Sequence, residues 1–278
     1  MTEIAMWTRE RSSSFLGNSL AEFDRLIERF SLRESGDGMY LAEDVAGLSE
    51  ALSAETHRAT PGWHGEFYRN GFARLANVIP EEQMALVGSW ARDRLAAADD
   101  QPAGAQAFYG ATGHLVRVNH LDQDQASVTL IRQLPLAALA KELVDDAVLY
   151  RLSVVIRSKS VAPELGRHRD PRWSARRFSR PVFAFGLSID STPGETGDVY
   201  YALGSHRLDC SGVLAHVNEP TLVETTVPTE RGDAVLHNLG VVHGAHPYPI
   251  DRERITIYCS FASAREVTSA PWGPESLR

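Results

Sequence analysis

The sequence predicts a mainly β protein, a jelly-roll-type double sheet buttressed by helices that come first in the chain. Two observations carry this reading. In the early part, apolar residues recur at three- and four-residue spacing, the mark of amphipathic helices. From Val148 onward the texture changes to short alternating or β-branched runs with turn residues between them, as in β-sandwiches and barrels. Helices followed by a β core of about 130 residues favour sheet packed on sheet with helices laid against it. A chain of 278 residues, 43% of them hydrophobic, suffices to bury one large core.

Leu20, Phe23, Leu26, Ile27 and Phe30 define the first helix, with Asn18 or Ser19 available as its cap. Leu41, Val45, Leu48 and Leu52 continue the pattern in a second amphipathic segment. Thr60, Pro61 and Gly62 break it. Residues 1–62 are therefore expected to form an N-terminal helical extension and 63–278 the β domain, the two making one continuous globular unit. Residues 71–79 read as a short strand. Pro80 suits a first helical position, with Glu81 and Glu82 in the first turn of a helix running to about Ala98. The Ala-, Gly-, Pro- and Asp-rich residues 96–113 read as a loop, and 135–143 as a helix. The expected strands are 148–157, 181–189, 198–203, 221–227, 233–237 and 254–261.

Several function classes are disfavoured at once. A net charge of −8 argues against non-specific nucleic-acid binding. No run approaches the roughly 18 apolar residues of a membrane span. The first fourteen residues carry charges where a signal peptide has its apolar stretch. Only Cys210 and Cys259 occur, which excludes a disulfide scaffold; a cytoplasmic, reducing setting is expected. Of 28 basic residues only Lys141 and Lys159 are lysine, a bias that GC-rich coding explains but that makes each lysine stand out.

The sharpest chemical feature is Gly166-Arg167-His168-Arg169-Asp170. In a strand, residues two apart share a face, so His168 and Asp170 would project together into one cavity, as two ligands of one metal must. Far downstream, Asp233 to Asn238 leads into Val241-Val242-His243-Gly244-Ala245-His246. A third ligand from His243 would complete two imidazoles and one carboxylate, a set that leaves three positions open for non-haem Fe(II) chemistry. His237 and His246 compete for that role. Arg254 stands eleven residues after His243, where a guanidinium facing the same interior would clamp a dicarboxylate's far end. Arg252, in a charged turn, is the rival clamp, and His206 reads as a turn residue.

Together these residues resemble the phytanoyl-CoA dioxygenase family of Fe(II)/2-oxoglutarate oxygenases, over most of the chain from about Glu66. The resemblance rests on four ordered blocks: Phe67 to Gln83, with its Asn70-Gly71-Phe72; Lys159 preceding His168 and Asp170; Gly197 to Arg207, with Gly204-Ser205-His206-Arg207; and Gly232-Asp233, His243 and Arg254. It implies a double-stranded β-helix (jelly-roll, cupin-like) core. It implies iron held by His168, Asp170 and His243, and 2-oxoglutarate held by Arg254, with Lys159 a weaker contact to that cosubstrate and O₂ as co-reactant. Two positions depart from the pattern. Ala245 stands where a hydroxyl residue is common, which leaves one cosubstrate hydrogen bond to be supplied elsewhere, and Leu203 replaces a proline in a turn. Because Asp170 is present, no ligand position is vacated for chloride, and oxygenation is expected rather than halogenation.

The substrate side is thinner. Six arginines fall within residues 167–180, and of these Arg172 and Arg176, with Trp173, are candidate contacts to an anionic or carrier-bound small molecule. Hydroxylation, with cyclisation, desaturation or epoxidation as variants, of a bacterial secondary metabolite is the expected activity, with no nucleic-acid or membrane partner. The alternatives are a ligand-binding barrel without turnover, and a cupin-like metalloenzyme that does not use 2-oxoglutarate.

Overall fold

In a computed structural model of the chain, residues 6–15, 20–30, 34–35, 39–41, 45, 62–97, 100–110, 113–160, 165–170, 181–207, 217–249 and 251–269 are described. Their core is two antiparallel sheets. The larger has seven strands in the order β4 (Phe72–Leu75), β12 (Ala234–Asn238), β9 (Phe183–Ser188), β14 (Arg254–Ser263), β7 (Ala147–Arg157), β6 (Leu115–Asn119) and β5 (Gln106–Tyr109). The smaller has four, in the order β11 (Glu224–Val227), β10 (Val199–Ala202), β13 (His243–Ala245) and β8 (Leu165–His168). Strand neighbours distant in sequence, as β8 is from β13, give the jelly-roll weave.

Period-two alternation sorts the large sheet into two faces. Leu152 and Val154 on β7, Phe183, Phe185 and Leu187 on β9, Leu236 on β12 and Ile257 and Cys259 on β14 are buried together in the main core. Met84, Val87 and Ala91 of the helix α4 (Glu81–Ala96) close over that layer, with Ile131 from α5 (Gln125–Arg132) and Leu136 and Ala140 from α6 (Leu136–Leu143). Asp124 caps α5 by accepting from the Ser127 amide at 2.9 Å. The other face carries Arg151, Ser153 and Arg157 on β7, His237 on β12, and Arg254, Tyr258 and Ser260 on β14, all lining a cleft between the sheets. Gly186, opposite Tyr258 in the β9–β14 register, leaves the space that ring occupies: a Cβ there would meet it at 3.1 Å.

The element before β4 is α3 (Trp63–Asn70), which ends on Gly71 at φ +88, the left-handed cap that glycine adopts without strain. Asp233 then ties β4 to β12. It is 1% exposed and accepts from Arg74 Nε, the Asn77 amide and the Glu230 amide, each at 2.9 Å. Replacing it with Ala strands three donors, one of them charged, so Asp233→Ala is expected to cost about 2–4 kcal/mol in urea unfolding.

The N-terminal segment differs from expectation. It contains α1 (Arg9–Phe15) and the expected α2 (Leu20–Phe30), but also a three-stranded antiparallel sheet in the order β1 (Met6–Thr8), β3 (Met39–Leu41), β2 (Glu34–Ser35). Leu41, read as opening a second helix, is in a strand, paired with Met6. Phe23, Tyr40 and Val45 form a small core there. Leu48, Leu52 and the Thr60-Pro61 break lie outside the described residues. Residues 96–113, read as a loop, supply β5, paired with β6. No described helix is long and apolar enough to cross a membrane. The chain ends its described part in α7 (Ala264–Ser269).

Candidate metal centre

β8 and β13 are hydrogen-bonded neighbours, and their register places His243 directly opposite His168. The two rings lie 4.3 Å apart between centroids. β8 ends at His168, so Asp170 is not on the strand; its amide instead donates to the Leu239 carbonyl at 3.3 Å, just past β12. Between them Arg169 turns the other way. It is 2% exposed, bonds the Gly240 carbonyl, and donates to the Ser205 carbonyl at 3.2 Å. That arginine pins the β8 exit to two turns, and the alternation expected of a strand survives its end. As a result, one donor atom from each of His168, Asp170 and His243 lies within 4.8 Å of the others.

The state of each group suits a divalent metal. His168 Nδ1 lies 2.9 Å from the Gly166 carbonyl and His243 Nδ1 3.1 Å from the Val241 carbonyl. A carbonyl only accepts, so each Nδ1 carries the proton and each Nε2 lone pair is left for a metal. Burial and the neighbouring His168 push the His243 pKa down to about 3, so its ring is neutral, as a ligand must be. Burial opposes ionisation of Asp170, but the hydrogen bond from His237 and the nearby His243 and His168 outweigh it and hold the carboxyl below the usual carboxylate range.

His237 sits close without joining the set. Its Nε2 is 3.5 Å from Asp170 Oδ2, and its ring is buried 5.2 Å from that of His243. It is placed to orient the carboxylate, the outer-shell role that fixes a metal ligand. His246 turns away, 2.9 Å from Thr226 Oγ1 on an exposed face.

At one end of the cleft lies Arg254, 4% exposed at the start of β14 and paired in register with Arg157 of β7. Its Nη1 donates to the Gly197 carbonyl at 2.7 Å, while its Nε is buried with no partner among the described residues. Both guanidiniums stand 5.8 Å from the Tyr248 ring. A buried cationic N–H with no partner among the described residues, beside a metal-ligand set, is suited to receive an anionic oxygen. Lys159 is elsewhere: it is exposed, with Nζ 3.5 Å from the Pro249 carbonyl, and does not line the cleft. Arg157, two residues earlier, does. Arg252 is a surface partner of Glu195 at 3.4 Å. Ala245 lines the cleft, where the hydroxyls of Ser153, Tyr258 and Ser260 are also found. Arg172, Trp173 and Arg176 lie outside the described residues. Sequence reasoning missed Arg117, Arg151 and Arg157 as lining residues; the polar-apolar alternation of β7 is the signal that sets the last two off the core.

Comparison with known proteins agrees with this geometry. The model of the family described as phytanoyl-CoA dioxygenase matches residues 67–254, about two thirds of the chain. No curated protein sequence matches. Among solved structures, AviO1 from Streptomyces viridochromogenes Tue57 is 26% identical with a TM-score of 0.60, over 78% of this chain and 100% of that one. SnoN, a non-haem α-ketoglutarate-dependent epimerase from nogalamycin biosynthesis, is 20% identical with a TM-score of 0.60, over 77% and 85%. EctD from S. alaskensis, in a structure with bound Fe, is 17% identical with a TM-score of 0.64, over 76% and 79%.

Proposed function

The chain belongs to the phytanoyl-CoA dioxygenase family, and from that footing we propose that it is an Fe(II)- and 2-oxoglutarate-dependent oxygenase acting on a small molecule of secondary metabolism. The observation that carries the reading is the meeting, in one cleft, of the His168, Asp170 and His243 donors with the Arg254 guanidinium, whose Nε has no partner among the described residues. A ligand-binding barrel needs no open metal face beside a cosubstrate clamp, and a cupin that dispenses with 2-oxoglutarate has no use for Arg254. Related folds agree with the assignment: SnoN has been solved with Fe3+ and α-ketoglutarate, and EctD with 2-oxoglutarate and 5-hydroxyectoine.

In this reading His168, Asp170 and His243 hold the iron, which with 2-oxoglutarate and O₂ supplies oxidation of a C–H bond coupled to decarboxylation of the cosubstrate to succinate. The protein's own part is positioning. The Gly166 and Val241 carbonyls fix both imidazole tautomers, and His237 steadies the carboxylate of Asp170. Arg254 binds the distal carboxylate of 2-oxoglutarate, with Tyr248 holding its guanidinium in place. A set of two imidazoles and one carboxylate would leave the metal open to the cosubstrate and O₂, with the substrate held beside it by the protein. Hydroxylation is the default outcome, since ring closure or desaturation needs a further constraint on the substrate.

The test is turnover. Purified protein supplied with Fe(II), 2-oxoglutarate and O₂, and challenged with candidate metabolites, is expected to release succinate in step with a mass change in one of them. Product formation that needs no 2-oxoglutarate would overturn the reading.

A further inference from the structure

The charge inside the cleft does not balance. Among the described residues its lining carries four guanidiniums, those of Arg117, Arg151, Arg157 and Arg254, against the one carboxylate of Asp170. A divalent metal and a doubly charged cosubstrate cancel one another, so loading the site leaves the excess of cations in place. Arg254 and Arg157 sit together at one end, opposite each other in the β14–β7 register. Arg151 is six residues from Arg157 along β7, a distance of roughly 20 Å in a strand. The five-carbon cosubstrate, with four C–C bonds, spans only ~5 Å, and cannot reach Arg151 while held at Arg254.

Arg151 faces the cleft by alternation with Ser153 and Arg157, and a local irregularity adds Tyr150 beside it. The β7–β14 register slips between Ser260, opposite Arg151, and Phe261, opposite Leu149. The extra residue is Tyr150, so the strand bulges there, and both Tyr150 and Arg151 line the cleft. Arg117 comes from β6, level with Val155 on β7, so it stands along the same face between the two ends. Among the described residues neither Arg117 nor Arg151 has a hydrogen-bond or ion-pair partner. Burial makes the Arg117 cation costly, with Arg151 adding repulsion and Tyr258 and Asp170 opposing both. Two unpaired guanidiniums lining a cleft call for an anion.

We infer that Arg151, with Arg117 from the middle of the cleft, forms the seat for a carboxylate or phosphate of the substrate, apart from the Arg254 end, so that the substrate is an organic anion gripped away from the cosubstrate's distal carboxylate. The inference rests on the oxygenase reading for its division of the cleft, but the seat is tested separately from that reading.

The protein is loaded with Zn(II) and saturating 2-oxoglutarate and titrated calorimetrically with phenylacetate, phenyl phosphate and neutral benzyl alcohol. At least one acid is expected to bind 10-fold or more tighter than the alcohol, and which acid wins tells carboxylate from phosphate. Arg151→Gln and Arg117→Gln are each expected to weaken that acid about 10-fold to 100-fold, the worth of one charge-assisted pair. Arg151→Lys, which keeps the charge, is expected to retain part of the affinity and guards against a misfolded Gln variant. The 2-oxoglutarate affinity of Arg151→Gln should stay within about 2-fold of wild type, since an unrelated site does not couple. Acid binding that is absent in the wild type, indifferent to Arg151→Gln, or matched by benzyl alcohol overturns the seat; so does competition between the acid and 2-oxoglutarate. Failure of 2-oxoglutarate itself to bind, with the acid still held through Arg151, overturns the oxygenase reading and leaves the seat standing.

Discussion

Asp170→Ala will abolish turnover, lowering kcat/KM for 2-oxoglutarate consumption by at least about 10³-fold, because loss of an outer-shell partner alone typically costs 10- to 100-fold and this change removes a ligand. Asp170 supplies the set's one anionic donor, and the hydrogen bond from His237 is the leading influence holding its carboxyl below the usual carboxylate range against burial. Without it, two neutral rings face the metal, and the remaining donors bind a divalent ion weakly. His243→Ala is expected to be equally damaging. His237→Ala offers the contrast: it leaves all three donors and removes only the group 3.5 Å from the carboxylate, so a loss of about 10- to 100-fold in iron affinity is expected, with activity recovered at high Fe(II). Iron titrations of the three variants check this. If His237→Ala proved as severe as Asp170→Ala while His243→Ala kept its metal, the third ligand would be His237.

Arg254→Ala will raise the KM for 2-oxoglutarate by about 10- to 150-fold, the equivalent of roughly 1.5–3 kcal/mol for a charge-assisted hydrogen bond. The guanidinium is buried, one N–H is committed to the Gly197 carbonyl and its Nε has no partner among the described residues. The variant should keep its iron, because Arg254 belongs to the clamp and not to the ligand set. Arg254→Lys restores charge but not the planar fork, and an intermediate KM is expected. Steady-state kinetics at varied 2-oxoglutarate, with thermal unfolding as the control for folding, decides it. An unchanged KM in Arg254→Ala would transfer the clamp to Arg157, its partner across the strand pair.

Much of the β core can be read from the chain because its chemistry is periodic. β7, β9, β12 and β14 alternate core-facing apolar residues with others, and the expected strands fall on them to within a few residues. What stayed hidden had no such period. β5 is an edge strand with Phe108 and Tyr109 exposed, so no buried apolar alternation in its side chains announces it. In the N-terminal segment Leu41 shares a helical spacing with Val45, which is helical, yet lies in a strand itself, and Gly36-Asp37-Gly38 is a turn composition between two short runs. His168 and Asp170 are legible from a spacing of two that puts them on one face, and His243 from its eleven-residue interval to Arg254 together with the family resemblance. Arg151 and Arg157 are not, since alternation says only that they oppose the core; whether that side meets water or a cleft depends on the second sheet.

One iron and one 2-oxoglutarate are expected to meet at His168, Asp170, His243 and Arg254. Anaerobic titration with Fe(II) and then 2-oxoglutarate, followed by visible absorption, tests it most directly. A charge-transfer band is expected only when both are present, saturating at one iron per chain, absent in His243→Ala and demanding more 2-oxoglutarate in Arg254→Ala. A wild-type protein that shows no band, or a band untouched by His243→Ala, would mean that iron and 2-oxoglutarate do not meet at these residues.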